Sequence, residues 1–310
     1  MKRNFVRIMA SAVIVALLLV IHFATPSLSG LWLQTLYDSL HVPLFGIIAV
    51  CALLITPPHW PRRKRLLAVL GAVVGLSALS EIAQIPTARD ASLSDLLADF
   101  LGAAGFIAVA IVFSTSISVP KGRGRYLVVL GFALIFWPLL PLTKVSAAYL
   151  ERSQLLPELI SFDSRFGDMF FYVQNAEFRK IRSSAITSYS AEVSLGDGPW
   201  PGIIFHDLWP NWEPYSNLTI EIENPGAEPL PVNIRVHDRA HRDGDQPYGD
   251  RFNRSADLAP GTQTIRIALA DIQSAPSGRQ MNMAEIDGLV VFCTQQESGR
   301  KFVLHNIRLE

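Results

Sequence analysis

The sequence predicts two domains of different class. An all-α bundle of transmembrane helices occupies residues 1–143, a linker follows at 144–160, and an all-β sandwich fills 161–310. Three observations carry this. The chain is 50% hydrophobic with a mean hydropathy of +0.28, yet its long apolar runs all lie before residue 144. Basic residues crowd into alternate loops between those runs. After residue 160, apolar residues recur with period two, the pattern of half-buried strands.

Five segments reach spanning length, which takes roughly 17–25 residues: 6–24, 41–56, 66–84, 95–114 and 126–143. The first follows Lys2, Arg3 and Arg7 and also reads as a signal peptide. We read it as an uncleaved helix, because its apolar run is long and no A-x-A site follows, although "PSLSG" keeps cleavage open. Lys2, Arg3 and Arg7, the run Arg62–Arg65, and Lys121, Arg123 and Arg125 lie in alternate loops, whereas the loops 25–40 and 85–94 hold only Arg89. The bias of cytoplasmic loops toward Lys and Arg orients the bundle. The N-terminus is then cytoplasmic in a plasma membrane, and five spans put the C-terminal domain outside, periplasmic or extracellular.

Polar residues gather on that outer side. Asp38 precedes the second span and His41 stands at its entrance. Glu81 and Gln84 are three apart near the end of the third, and Asp95 and Asp99 four apart at the start of the fourth, so each pair shares a helix face. Ser92 and Asp95 fit a capping box. Small residues Ala98, Gly102 and Gly105 permit close helix approach. Ionisable groups in a membrane segment usually face the bundle interior. We therefore expect an outward-facing polar pocket of Asp38, His41, Glu81, Gln84, Arg89, Asp95 and Asp99. In a catalytic reading Arg89 and His41 position a phosphate and Glu81 or Asp95 accepts a proton. In the bland reading Asp90 and Asp95 are solvated or capping charges and the rest satisfy each other.

These ordered positions, "DSLH" with Phe45, then Glu81, Gln84, Arg89, Ser92, Asp95, Gly102 and Gly105, resemble the VanZ-like membrane domain over residues 6–115. Ser39 stands where that family often has Lys, and Asp99 where it often has Asn. The resemblance implies an integral, bacterial cell-envelope protein. The family's namesake is associated with teicoplanin-type resistance, a role that a chain with a different second domain does not inherit.

The second domain alternates strictly. "NLTIEIEN", "PVNIRVHD", "QTIRIAL", "IDGLVVFC" and "KFVLHNIRL" read as strands separated by turn formers such as "NPGAEPLP", the signature of an antiparallel sandwich or barrel. Their order resembles a carbohydrate-binding jelly roll of the galactose-binding-like kind across 161–310. That resemblance implies glycan binding and, commonly, a structural calcium ion. Candidate ligand residues sit in two connections, where binding residues concentrate: His206, Trp209, Trp212 and Tyr215 in "IFHDLWPNWEPY", and Asp238, His241, Tyr248, Arg251 and Asn253 in "VHDRAHRDGDQPYGDRFN". Rings offer apolar faces to sugar C–H groups and the polar residues take hydroxyls, although each Trp also suits a sandwich core. Asp243, Asp245 and Asp250 are candidate calcium ligands or a solvated loop, and His237 and His241 alone make a poor zinc pattern.

A net charge of +0 argues against a general nucleic-acid binder. There is no phosphate-cradling glycine loop and no G-x-S-x-G. Cys51 and Cys293 fall in different compartments, so both are expected free and buried. Three functions follow from the sequence. The pocket and sandwich act together on a cell-wall or lipid-linked glycan, the protein is a non-catalytic membrane-anchored glycan sensor or tether, or the charges line a transport pathway.

Overall fold

A computed structural model describes residues 2–23, 30–84, 93–113, 122–182 and 188–310. The chain divides into two compact units, Met1–Lys144 and Val145–Glu310.

The first unit is helical: α1 (Lys2–Phe23), α2 (Leu31–Ser39), α3 (His41–Ile55), α4 (Arg62–Gln84), α5 (Leu93–Phe113) and α6 (Arg123–Phe136). Four stretches are long and apolar enough to cross a membrane, Leu31–Ile55, Arg62–Ile82, Leu93–Phe113 and Arg123–Leu155, and a shorter apolar helix covers Asn4–Leu19. The sequence placed 25–40 in a loop, but Leu31–Ser39 is helical. Leu36, Leu40 and Leu44 recur at helical spacing, and the Leu40 N–H still bonds the Leu36 carbonyl at 3.2 Å, so α2 runs almost unbroken into α3. Pro43 sits in the first turn of α3, where its missing N–H costs nothing. His41 thus lies within the apolar stretch rather than at its entrance.

A second difference concerns the linker. Pro138 interrupts α6 with a 3₁₀ turn at Trp137–Leu139, and a further helix, α7 (Leu140–Leu155), covers most of the segment read as linker. Pro141 is tolerated in its first turn, and Ala147, Ala148, Leu150, Glu151 and Arg152 are good helix formers.

Phe45, Ile48, Val69, Val73, Ala103 and Ile107 form the interior of the helical unit. Gly102 lets α5 meet α3 closely: a Cβ there would stand 2.5 Å from the Val42 carbonyl oxygen, and at Gly105 2.7 Å from the Gly131 oxygen of α6. The outer surface is apolar, with Ile8, Leu67, Leu79, Ile82, Val129 and Trp137 exposed. Large exposed apolar surfaces mark contact with a membrane or another protein.

In the second unit two antiparallel sheets face each other. One runs β3 (Ala176–Arg182), β4 (Tyr189–Leu195), β11 (Lys301–Leu309), β6 (Asn217–Asn224), β9 (Gly261–Ala268), with β1 (Glu158–Ile160) also paired to β11. The other runs β2 (Phe171–Gln174), β5 (Gly202–His206), β10 (Ile286–Phe292), β7 (Leu230–Asp238), β8 (Phe252–Leu258). Each strand foreseen from alternation is present. Val232, Ile234 and Val236 of β7 point into the core, against Leu289 and Val291 of β10 and Ile220 and Ile222 of β6. Period two then fixes the opposite face of β7: Asn233, Arg235 and His237. Two short helices, α8 (Arg239–Asp243) and α9 (Leu269–Ser274), lie in connections. Cys293 is buried as expected, and burial pushes its thiol up to about 12, whereas Cys51 is only half-buried.

Candidate functional site

Two polar arrangements stand out, one in each unit. In the helical unit, α3 supplies His41, α4 supplies Ser77 and Glu81 one turn apart, and α5 supplies Asp95 and Asp99 one turn apart. His41 Nδ1 and Asp99 Oδ1 are hydrogen-bonded at 3.1 Å, and Ser77 Oγ donates to Asp99 Oδ2 at 2.5 Å. Asp99 is 1% exposed, and His41, Ser77 and Glu81 are buried with it. His41 also stacks on Phe45, centroids 6.1 Å apart. A buried carboxylate is tolerable when donors satisfy it, and Asp99 has one donor partner on each oxygen. Asp95 is half-buried and Asp38 is exposed on α2. Gln84 ends α4, but its side chain, like Arg89, Asp90 and Ser92, lies outside the described residues. Sequence reading missed Ser77, although it precedes Glu81 by four and so shares its face.

In the sandwich, the outer face of the five-stranded sheet is a groove. Registers place Tyr172 of β2, Ile204 of β5, Val290 of β10, Arg235 of β7 and Asn253 of β8 in one row across it. The neighbouring row is Gln174, Gly202, Phe292, Asn233 and Ser255. Gly202 has no room for a side chain, because a Cβ would collide with the Val291 carbonyl. Above this floor stand three aromatic rings, Tyr172 (53% exposed), Trp200 (58%) and Tyr248 (72%). They enclose, with Gln174, Arg235 and Arg251, a volume of about 420 Å³. Trp200 packs edge-on against Phe292, centroids 5.9 Å apart, and holds φ at 57° in the β4–β5 connection. A bulky residue with positive φ is a strained outlier of a sort that concentrates at functional sites.

The groove's charges are both cationic. The Arg251 guanidinium lies 5.2 Å from the Tyr248 ring centroid, and its Nε donates to Asn253 Oδ1 at 3.2 Å. Arg235 makes no hydrogen bond or ion pair among the described residues, and its Nε is enclosed. Burial first, then the neighbouring Arg251, lowers the Arg235 pKa. Burial, then Arg235, pushes His237 down to about 3, so its imidazole is neutral at ordinary pH.

The other residues singled out from sequence do different work. Trp212 is fully buried in the sandwich core, its Nε1 donating to the Trp209 carbonyl at 2.7 Å, so it has no face to offer a ligand. Trp209 packs half-buried against the same core. Asp238 and His241 are also buried, and they serve the fold. Asp238 accepts from Arg279 at 2.6 and 2.8 Å, from the Asn282 N–H at 2.8 Å and from the His241 N–H at 3.0 Å, which caps α8. Burial alone would raise Asp238, but these hydrogen bonds hold it below the usual carboxylate range. Arg279 also binds Asp250, which lies 3.3 Å from His241 Nδ1. Tyr248 and Arg251 do line the groove, Asn253 supports Arg251, and His206 stands beside Tyr172 with ring centroids 5.9 Å apart. Tyr172, Trp200 and Arg235 went unnoticed. Two of them sit at outward positions of alternating strands, which was the signal available.

Among the described residues, no group of three or more His, Cys, Asp or Glu is arranged to hold a metal ion. Of the acids considered for calcium, Asp243 pairs with Arg242 at 2.9 Å and Asp250 with Arg279.

No family model matches this chain, and no curated protein matches it. Solved structures similar to it include an exo-beta-agarase (TM-score 0.40, 15% identity, 49% of this chain and 24% of that one). A family 11 carbohydrate-binding module from Clostridium thermocellum, in complex with a beta-1,3-1,4-mixed-linked tetrasaccharide, gives TM-score 0.38 and 15% identity over 49% of this chain and 93% of that one. The CBM22-1 xylan-binding domain from Paenibacillus barcinonensis gives 0.34 and 13% over 49% and 93%. The chain thus spans about a quarter of the agarase it matches, and at such scores the likeness carries no functional argument.

Proposed function

We propose that this is a membrane-anchored glycan-binding protein of the bacterial cell envelope. The sandwich holds a cell-wall or lipid-linked glycan in the groove of the five-stranded sheet, and a VanZ-like helical part resides in the plasma membrane. The observation that carries the reading is the set of three exposed rings, Tyr172, Trp200 and Tyr248, around an open groove of about 420 Å³. Rings held at a surface lose little entropy on binding and present apolar faces with polar groups beside them. Sites for small ligands combine such surfaces with a few convergent polar groups, here Gln174, Arg235 and Arg251.

The helical part supports anchoring in three ways: its apolar exterior, the four spanning-length stretches with the 22-residue apolar α1 as the fifth span that an external sandwich requires, and the loop bias in Lys and Arg that orients the N-terminus to the cytoplasm. The tether is preferred over membrane-embedded catalysis because Asp99 already pairs with His41 and Ser77. The test is calorimetric titration of the full-length protein in detergent with soluble wall and plant glycans. Trp200→Ala is expected to abolish the binding of whichever saccharide is held. Binding that survives Trp200→Ala and Tyr172→Ala would remove the groove from the account.

A further inference from the structure

We propose that the glycan held in this groove is anionic, carrying a carboxylate or sulfate group that lodges between Arg235 and Arg251. This rests on the glycan reading above and names its ligand class. None of the ten residues lining the groove is acidic, and two are arginines. Six other arginines of this unit are neutralised by acids: Arg179 by Glu192, Arg239 by Glu285, Arg242 by Asp287, Arg279 by Asp238 and Asp250, Arg300 by Glu297 and Arg308 by Glu310. Among the described residues Arg235 and Arg251 are partnered by no carboxylate, although they sit close enough that Arg251 disfavours the charge on Arg235.

A half-buried cation without a counter-charge, next to a second cation, is electrostatically unfavourable, since it has lost water and gained a like charge. A neutral sugar leaves that cost in place. A carboxylate or sulfate removes it, because the planar guanidinium fork matches two oxygens at once. The surroundings fit an acidic sugar rather than a bare ion. Tyr172 and Trp200 flank the cations with ring faces for a pyranose, and Gln174 offers an amide to hydroxyls. His237, neutral for the reasons given, adds no competing charge to the floor.

The test titrates the full-length protein in detergent with oligosaccharides of matched length: a neutral mixed-linked glucan, an oligogalacturonate and a sulfated galactan. Polyglutamate serves as a non-sugar polyanion. The acidic sugars are expected to bind about tenfold or more tightly than the neutral one, the worth of a charge-assisted hydrogen bond. Which acidic sugar leads tells carboxylate from sulfate. Arg251→Gln, at the rim, and Arg235→Gln, in the sheet, should each erase most of that preference by weakening the acidic sugars several-fold more than the neutral one. Added salt should narrow the gap as well. Equal affinity for neutral and acidic sugars, or a preference untouched by both variants, overturns the inference and leaves glycan binding standing. Polyglutamate binding as tightly as the acidic sugars overturns it too, since recognition would then lie in charge alone. Failure of every saccharide overturns the glycan reading itself.

Discussion

His237 gives the sandwich a defined acid sensitivity. Its ring is buried on the outer side of β7, its Nδ1 has no hydrogen-bond partner, and Gly288 of β10 lies directly beneath it. The charged neighbours are Arg235 on the same strand, Arg251 before β8, His241 of α8, Asp238 and Asp287. Asp287 is 3.8 Å away, but it is engaged more closely by Arg242. The result is a folded pKa of about 3 against an ordinary value of 6.5. The sign follows directly. The unfolded chain takes up a proton below 6.5 and the folded one does not until about pH 3, so stability is full above 6.5 and falls as the pH drops through that window. One proton is worth about 1.36 kcal/mol per pH unit. Between pH 7 and pH 5 the loss integrates to about 2 kcal/mol, or roughly 4–8 °C in Tm for a domain of this size. The assay is thermal unfolding of the full-length protein in detergent, followed by the β-sheet circular dichroism signal at both pH values. His237→Gln cannot titrate, so its Tm should fall less over the same interval by about that amount, whatever its stability at pH 7. Part of the fall should remain, because burial also lowers His241. Equal falls in wild type and variant would refute the reasoning.

Trp212→Ala should cost about 3–5 kcal/mol, as a fully buried indole leaves a cavity. Trp200→Ala should leave the unfolding temperature within a degree or so of wild type, because more than half of that ring is exposed; the two Tm values decide whether core and groove were assigned correctly. Asp99→Ala leaves His41 and Ser77 without their shared acceptor inside the helical unit, and a lost partner of a buried polar group costs about 1–3 kcal/mol. It should lower the yield of detergent-soluble protein, and an unchanged yield and melting temperature would mean that the pairing contributes nothing. Single cysteines introduced at Arg63 and at Tyr248, in a chain with Cys51 and Cys293 replaced by Ala, should react with a membrane-impermeant maleimide in intact spheroplasts only at Tyr248. Labelling at Arg63 instead would invert the proposed orientation.

Much of the architecture was legible because it rests on period and punctuation. Strands β6, β7, β9, β10 and β11 each alternate strictly, and a half-buried pleat leaves little choice about which residues face inward. The helix interior was legible at Asp99, Glu81 and His41, since an ionisable group in an apolar run needs a partner. What was missed has physical causes. Ser77 is a small hydroxyl in an apolar helix, and its place becomes visible only when α5 brings Asp99 beside it. The extension of α7 past residue 143 was hidden by Pro138 and Pro141, of which the first breaks a helix and the second merely starts one. Trp212 and Trp200 look equally suited to a ligand in the sequence, with prolines close to both. The chain sends one into the core and leaves the other on the rim, a difference made by distant contacts of two connections: the Trp212 N–H bonds the Met283 carbonyl at 2.7 Å, whereas Trp200 leans on Phe292 at the groove.

The two polar arrangements differ in how far the protein satisfies itself, and that difference bears most on function. In the helical unit Asp99 meets a donor on each oxygen, so a ligand would have to displace existing bonds to gain the carboxylate. The Asp238–Arg279–Asp250 cluster is likewise closed, and replacing one member would open it at about 3–5 kcal/mol where the charge is buried. Arg235 belongs to neither pattern. It is half-buried, adjacent to a second guanidinium and unaccompanied by an acid, in a groove whose ten lining residues include no carboxylate. Folding alone gives no reason to place it there, since Thr or Gln would hold that position in β7 without the charge. An anion arriving with the ligand supplies the missing partner, which makes Arg235 the residue at which stability and binding should pull in opposite directions. Arg235→Gln is therefore expected to raise the Tm of the empty protein while weakening its hold on an acidic glycan. A variant that loses both stability and binding would mean that Arg235 serves the fold, through contacts of its aliphatic stem, and that the groove's charge is incidental.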